Sequence, residues 1–361
     1  MAKAALSAFD NVRVVGFSGL LMDFVHAQSD AKMAVQIGHA GPKGSTNAPW
    51  DGAGADQPLA HDNWAHRALR AWLEWISHTF DAGQEKLAWM TWALAVGVPS
   101  VLSLIIHWSL LAWLGWPAAM IWSVGVLYLA LGFRQFSHYF TDIRDALEEG
   151  DEQQARESLA HWKQEAVGTL PRQELLRHVI EFSVLSAHRH VFGVMACFSV
   201  FAALGFGPAG AVVYRMSEWV SRIWAHAPLA DNKFVSLALQ ACAKKAWYAV
   251  DWLPARMTAV AFGVVGNFEE AIDCWRNHAQ RFPDDNDGVV LAATAGALNV
   301  RLGGEALRAD DASEVHDQDS ESTPGRTPEM AHLSSVVGLV WRSVVLWMVL
   351  LALLTLARLL G

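Results

Sequence analysis

The sequence predicts an all-α fold, that of a polytopic integral membrane protein with four or five transmembrane helices and amphipathic cytoplasmic helices between them. Three observations support this. Apolar residues make up 53% of the 361 and charged residues only 17%. The apolar residues come in blocks, several of which approach the roughly 20 that a helix needs to cross a hydrocarbon core. There are 18 Trp against 4 Tyr, and Trp89, Trp92, Trp108, Trp113, Trp116 and Trp122 crowd the ends of two blocks. An indole prefers that level because its ring is buried while its N–H stays wet.

Residues 1–60 are weakly patterned, and 28–58 is rich in Gly, Ala, Asp and Asn, which predicts a disordered or atypical N-terminal extension. The apolar stretch 14–22 is short, interrupted by Gly and Ser and followed by Asp23. It does not resemble a signal peptide, so an internal hairpin is expected to direct insertion. Over 61–84, Leu69, Trp72, Leu73 and Ile76 fall at helical spacing, predicting an amphipathic helix that lies on the membrane or caps the bundle. Residues 87–114 form the first spanning candidate, with Pro99 and His107 but no formal charge. Gly115-Trp116-Pro117 breaks it, and 118–133 follows as the second. So short a turn makes the two antiparallel neighbours. Both flanks of this hairpin carry Lys and Arg while the turn has none, which places the flanks in the cytoplasm.

The 134–189 segment is charged and helical in pattern. Gly150 ends one helix and Asp151 caps the next, with Gln154 at its third position. A third span is expected over 190–213, with Gly205, Gly207, Pro208 and Gly210 near its end. Residues 214–250 read as amphipathic. The 251–268 stretch is ambiguous: it crosses using Trp252 and Phe268 as interface residues, re-enters, or lies flat. An acidic stretch over 305–334 reads as a disordered linker, and 335–361 as a C-terminal transmembrane helix. There Arg342 sits near one end or faces the bundle, and Arg358 snorkels.

Several function classes are excluded or weak. The net charge is −9 with no basic cluster, so no nucleic acid is expected as a partner. Membrane lipid is expected, and a homo-oligomer is compatible with the pattern. Cys197, Cys242 and Cys274 are far apart and lack metal spacing. His188 and His190 are too few for a closed metal site without His178 or Glu181, which share a helical face at i, i+3; capping of the third span is the better reading. His107 in an apolar run is best read as hydrogen-bonded across helices. No glycine-rich phosphate loop is present, and no metal site is expected.

Three motifs carry more. Asp251-Trp252-Leu253-Pro254-Ala255-Arg256 is followed by Gly266-Asn267-Phe268-Glu269. Pro254 suits the first turn of a helix, with Asp251 as its N-cap or close to it and Arg256 near the membrane boundary. A second motif is 146–159, with Gly150, Asp151, Ala155 and Arg156. A third is Gly207-Pro208-Ala209-Gly210-Ala211 running into Tyr214-Arg215. In this order and spacing the three resemble the CobD/CbiB family of bacterial inner-membrane proteins. The likeness runs over about 71–304, so that 61–304 forms the family-like membrane domain.

The resemblance implies an adenosylcobinamide-phosphate synthase. Such an enzyme joins an aminopropanol phosphate to a carboxylate of the corrinoid adenosylcobyric acid, using ATP and Mg²⁺. An AmpE-like membrane regulator linked to β-lactamase induction, without turnover or cofactor, is the alternative. On the synthase reading Glu181, Asp251, Arg256 and Arg215 are the catalytic candidates, carboxylates for Mg²⁺ and arginines for phosphate. Asp151, Arg156 and Tyr214 come next, for cofactor binding. Glu181, Tyr214, Arg215, Asp251 and Arg256 are expected to converge on one cavity at the membrane edge. The chain departs from the synthase pattern where Ala187-His188-Arg189-His190 stands in place of an acid-rich stretch, and where Met216-Ser217-Glu218-Trp219 follows Tyr214-Arg215.

Overall fold

The computed structural model describes residues 64–131, 133–163, 171–226, 235–304 and 322–360. The expected N-terminal extension and most of the acidic linker lie outside the described residues. Among those described, the architecture is all-α, with two isolated β-bridges, Val300 to Arg326 and Gly303 to Ser322.

Helix α1 (Trp64–Phe80) is the amphipathic helix read from the sequence. Its Leu73 and Ile76 are buried against Ala88, Ala95 and Val96 of α2 (Glu85–Trp113). Pro99 inside α2 has no N–H for the carbonyl of Ala95, four residues back. The Trp72 indole N–H donates to that carbonyl instead, at 3.2 Å. Gly115, at φ 83°, turns the chain into α3 (Trp116–Ala130). The hairpin is locked by Trp122 Nε1 donating to the Ser103 carbonyl at 3.2 Å and by the Ser123 hydroxyl meeting His107 Nδ1 at 3.3 Å. His107 is therefore the inter-helix hydrogen-bonding group its apolar context suggests.

Helices α4 (Phe133–Glu149) and α5 (Glu152–Lys163) meet at Gly150, at φ 82°. The Asp151 carboxylate accepts from the Gln154 N–H at 2.9 Å, as the spacing predicts. Ile143, Leu147 and Leu159 bury against Leu175 and Val179 of α6 (Arg172–Ala187).

The third span differs from expectation. Helix α6 runs through a π-helical turn, His188–Phe192, into α7 (Gly193–Ala203), so that Arg172–Ala203 forms one 32-residue apolar helix. The chain then reverses at Gly205 and Gly207, both at positive φ, and α8 (Ala209–His226) begins. Two of the three glycines expected near the end of a span make the turn between two helices, and Gly210 lies inside α8. A Cβ at Gly207 would lie 2.7 Å from His107 Cδ2, so the residue must be glycine for the turn to seat on the hairpin.

A second correction concerns Pro254. It lies inside the 29-residue α9 (Leu237–Val265), whose N-cap is Ser236. Asp251 is thus a mid-helix residue and not a cap. The face carrying Trp247, Asp251, Pro254, Ala255 and Thr258 is buried, and tertiary packing outweighs the local tendency of proline to start a helix.

Helix α10 (Phe268–His278) is capped by Asn267, and α11 (Asp285–Leu298) by the Asp284 carboxylate. Nearly all of α11 is buried, with Gly288 against the Ala279 carbonyl and Gly296 against Glu270. After α11, Asn299 in the left-handed conformation starts a strap in which Thr323 binds both backbone groups of Leu302. The tail of the expected linker, residues 322–329, is thus fixed in place, and α12 (Met330–Leu360) starts five residues before the expected span.

Among the described residues, three helices are long and apolar enough to cross a membrane, at Glu85–Trp113, Arg172–Ala203 and Met330–Leu350, and Trp116–Ala130 is a shorter apolar helix. Their outward residues, including Val101, Leu102, Ile105, Ile121, Leu129, Val345 and Val349, are exposed, as a lipid-facing surface requires. The chain is an all-α membrane protein.

Candidate functional site

The polar core lies where the π-turn, α8 and α9 meet. A π-helical turn inserts one residue into the α-helical ladder, and such turns are frequent at functional sites. Here it carries His188, Arg189 and His190 in succession. His188 and Asp251 are fully buried. The Tyr214 hydroxyl donates to Asp251 Oδ1 at 2.8 Å, and His188 Nε2 meets the same oxygen at 3.0 Å. A carboxylate only accepts, so Nε2 carries a proton. On the other edge of the ring, Nδ1 lies 2.9 Å from the Thr258 hydroxyl, which donates to the Pro254 carbonyl at 3.0 Å. Asp251 therefore ties three segments together: the bulge, α8 and α9.

Around this centre lie three arginine–acid contacts. Arg189 pairs with Asp287 in the first turn of α11, 98 residues away in sequence. Arg215 and Arg222 flank the buried Glu218 carboxylate at 3.5 and 3.6 Å. Arg256 is held differently. Its guanidinium lies 4.2 Å over the Trp252 ring, and Nη1 donates to the Trp252 carbonyl at 2.8 Å and to Asn286 Oδ1 at 3.0 Å. Asn286 in turn donates to the Tyr248 carbonyl at 3.0 Å. Neutral acceptors and an aromatic face thus orient this cation without cancelling its charge.

Burial pushes the Tyr214 phenol well above its ordinary value, with Asp251 adding to the effect, so it stays a neutral donor. Burial lowers the Arg215 guanidinium. For Glu218 burial acts upward but Arg222, Arg215 and His190 outweigh it, and the carboxyl is held below its ordinary range. Asp287 is raised by burial despite Arg189.

Of the residues singled out from sequence, Tyr214 and Asp251 are in direct contact, with Arg215 next to them in the chain and Arg256 further along α9. Glu181 is engaged elsewhere. Its Oε1 accepts from the Gly303 N–H at 2.7 Å, and His178 and Arg177 lie beside it. It stands seven residues before His188, about 10 Å along a helix axis. Asp151 and Arg156 sit at the α4–α5 junction, one as a helix cap and the other paired with Glu152 at 3.0 Å. The residues that sequence reasoning passed over are Arg189, Glu218, Thr258, Asn286 and Asp287, whose partners are remote. His188, read from the sequence as a weak metal-ligand candidate and better as part of the capping of the third span, is the partner of Asp251.

Among the described residues no three His, Cys, Asp or Glu side chains come together as a metal site. Several polar atoms of this core are nevertheless left without a hydrogen bond. Arg215 Nε and Arg189 Nε are buried donors without a hydrogen-bond partner and Asp251 Oδ2 is a buried acceptor without one, while Arg215 Nη1 and Glu218 Oε2 face each other only as the 3.5 Å ion pair. Buried polar atoms of this kind call for a ligand or water. Phosphate oxygens would satisfy the arginines, and magnesium carried on phosphates takes only one or two carboxylates from a protein.

A family model for CobD/Cbib protein matches residues 54–340. The chain is similar to a protein named cobalamin biosynthesis protein CobD from Stutzerimonas stutzeri, at 30% identity over 72% of this chain and 79% of that one. Proteins of the same name from Chromobacterium violaceum and Mycobacterium tuberculosis H37Rv are 31% and 30% identical, each over 62% of this chain and 67% of theirs. No solved structure matches.

Proposed function

This chain belongs to the CobD/CbiB family, and from that premise we propose that it acts in cobalamin biosynthesis as a multi-pass inner-membrane enzyme of the adenosylcobinamide-phosphate synthase type. The reaction is amide formation between a carboxylate of adenosylcobyric acid and the amine of aminopropanol phosphate. The corrinoid is then its substrate partner. The names of its relatives favour this reading over a regulator of β-lactamase induction.

One observation carries the proposal: a fully buried Asp251 gathers Tyr214 and His188 from two other segments, beside two arginines whose Nε donors have no hydrogen-bond acceptor. Bound ATP would supply the phosphoryl group that turns a carboxylate into an electrophile. The chain's own part is positioning. Asp251 fixes the Tyr214 hydroxyl and the His188 ring, and with them the bulge that sets Arg189 in place. Arg215, Arg189 and the Trp252-stacked Arg256 offer donors to phosphate oxygens. Asp251 Oδ2, which accepts no hydrogen bond from the protein, would be the acceptor for a magnesium ion held on those phosphates. Glu181 acts at a distance, by holding the Gly303 strap.

The test is rescue of a bacterial strain lacking its synthase, with corrinoids quantified by mass spectrometry. The intact chain restores cobinamide-type products. Arg256→Lys, which loses the planar stack and the fixed fork, lowers product formation roughly 10- to 100-fold at equal membrane abundance. Failure of the well-expressed intact chain to rescue would overturn the proposal.

A further inference from the structure

Away from the polar core, the first turn of α2 and the 238–245 stretch of α9 enclose a cleft of about 280 Å³, lined by Glu85, Trp89, Ala238, Ala241, Cys242 and Lys245. Asp81 holds its two walls together. Its carboxylate accepts from the Ser236 N–H at 2.8 Å and the Ser236 hydroxyl at 2.6 Å, fixing the cap of α9 beside the start of α2. Because α2 is long and apolar enough to cross a membrane, its first turn stands at the level of lipid headgroups.

Three features at this cleft match a headgroup. Glu85 and Lys245 place opposite charges 3.6 Å apart, and their side chains are 74% and 65% exposed. An exposed pair of this kind contributes little to folding, so both charges remain open to another partner. Gln84 makes no side-chain cap, which leaves the first-turn N–H groups of α2 in need of acceptors. Trp89, 41% exposed, sits on the same turn, the place of an interfacial indole.

We infer that this cleft holds the headgroup of a zwitterionic phospholipid bearing a primary amine. The phosphate lies against Lys245 and the open first turn of α2, and the ammonium against Glu85. Ala238 and Ala241 leave room for it. The volume is just below the range of small-molecule pockets, enough for a headgroup and too small for a macrocycle. Charge selects among lipids: a headgroup with no cation leaves Glu85 facing an anion, and a quaternary amine has no N–H to donate to the carboxylate.

The experiment uses the full chain in nanodiscs of equal parts phosphatidylethanolamine, phosphatidylcholine and phosphatidylglycerol, with retained lipid counted by native mass spectrometry. Phosphatidylethanolamine is expected to be enriched on the wild-type protein. Its enrichment falls about fivefold in Glu85→Gln and in Lys245→Gln, the effect of one charge at a lipid surface, while corrinoid rescue is unchanged. Equal retention of phosphatidylcholine, or preference for phosphatidylglycerol, on the wild-type protein would overturn the inference without recourse to any variant. Displacement of the lipid by an equal concentration of soluble phosphoethanolamine would overturn its assignment to a lipid.

Discussion

Replacing Asp251 with alanine removes the acceptor on which two buried side chains converge. The Tyr214 hydroxyl and the His188 Nε2–H, at 2.8 and 3.0 Å, both lose their partner. Leaving a buried donor unpaired costs about 1–3 kcal/mol, more where a charge is involved, so the two together predict a loss of about 3–5 kcal/mol. Asn in the same place keeps an oxygen for the two donors and loses only the assistance of the charge, for about 1–2 kcal/mol. The assay is reversible unfolding in mixed micelles of rising SDS fraction, followed by circular dichroism. A double-mutant cycle with Tyr214→Phe should give a coupling of about 1–2 kcal/mol, because the two residues share one hydrogen bond. A loss below about 1 kcal/mol for Asp251→Ala, or a coupling inside the roughly 0.5 kcal/mol scatter of independent sites, would refute the role of Asp251 as the tie between helices.

Three further outcomes follow from the same geometry. Gly193→Ala puts a Cβ inside the Tyr214 ring, 2.7 Å from Cε1, so it should lower stability by about 1–3 kcal/mol and reduce rescue, while Gly97→Ala, with nothing within 4 Å, stays within about 1 kcal/mol of wild type in the same SDS titration. Glu218 has a folded value below its ordinary 4.5, so its contribution to stability is complete above that value and is lost as the pH falls through the lowered one. Thermal melts of wild type and Glu218→Gln should therefore converge on acidification below pH 4.5, and parallel profiles would contradict the arginine cluster. Cys274 is 2% exposed and its thiol is pushed up to about 11, chiefly by burial, so peptide-resolved alkylation at pH 8 should be at least about 100-fold slower in the folded protein than after SDS denaturation.

Local signals were legible where the deciding forces are local. The helix around Leu69, Trp72, Leu73 and Ile76 was readable because one face must be buried. The Gly115 turn was readable because two apolar runs flank a single break. The Gly150–Asp151 junction was readable because helix ends must satisfy their own N–H groups. The misread positions all depend on distant partners. Pro254 continues a helix because its face is buried against other segments, and the third span starts at Arg172 because charged residues such as Arg177 and Glu181 find partners there.

The candidate site divides in the same way. Asp251, Tyr214, Arg215 and Arg256 were visible as residues of motifs, whereas Arg189, Asn286 and Asp287 were not, since nothing local marks a pair 98 residues apart.

The amino-acid order alone determined that this chain is helical and dwells in lipid, because hydrophobic run length, tryptophan placement and helix punctuation are properties of short segments. Only the tertiary structure decided that a π-turn carries His188 to Asp251 and that Glu181 serves a strap instead of the polar core. Those facts depend on which helices lie side by side, and side-by-side packing is settled by the whole set of buried surfaces at once.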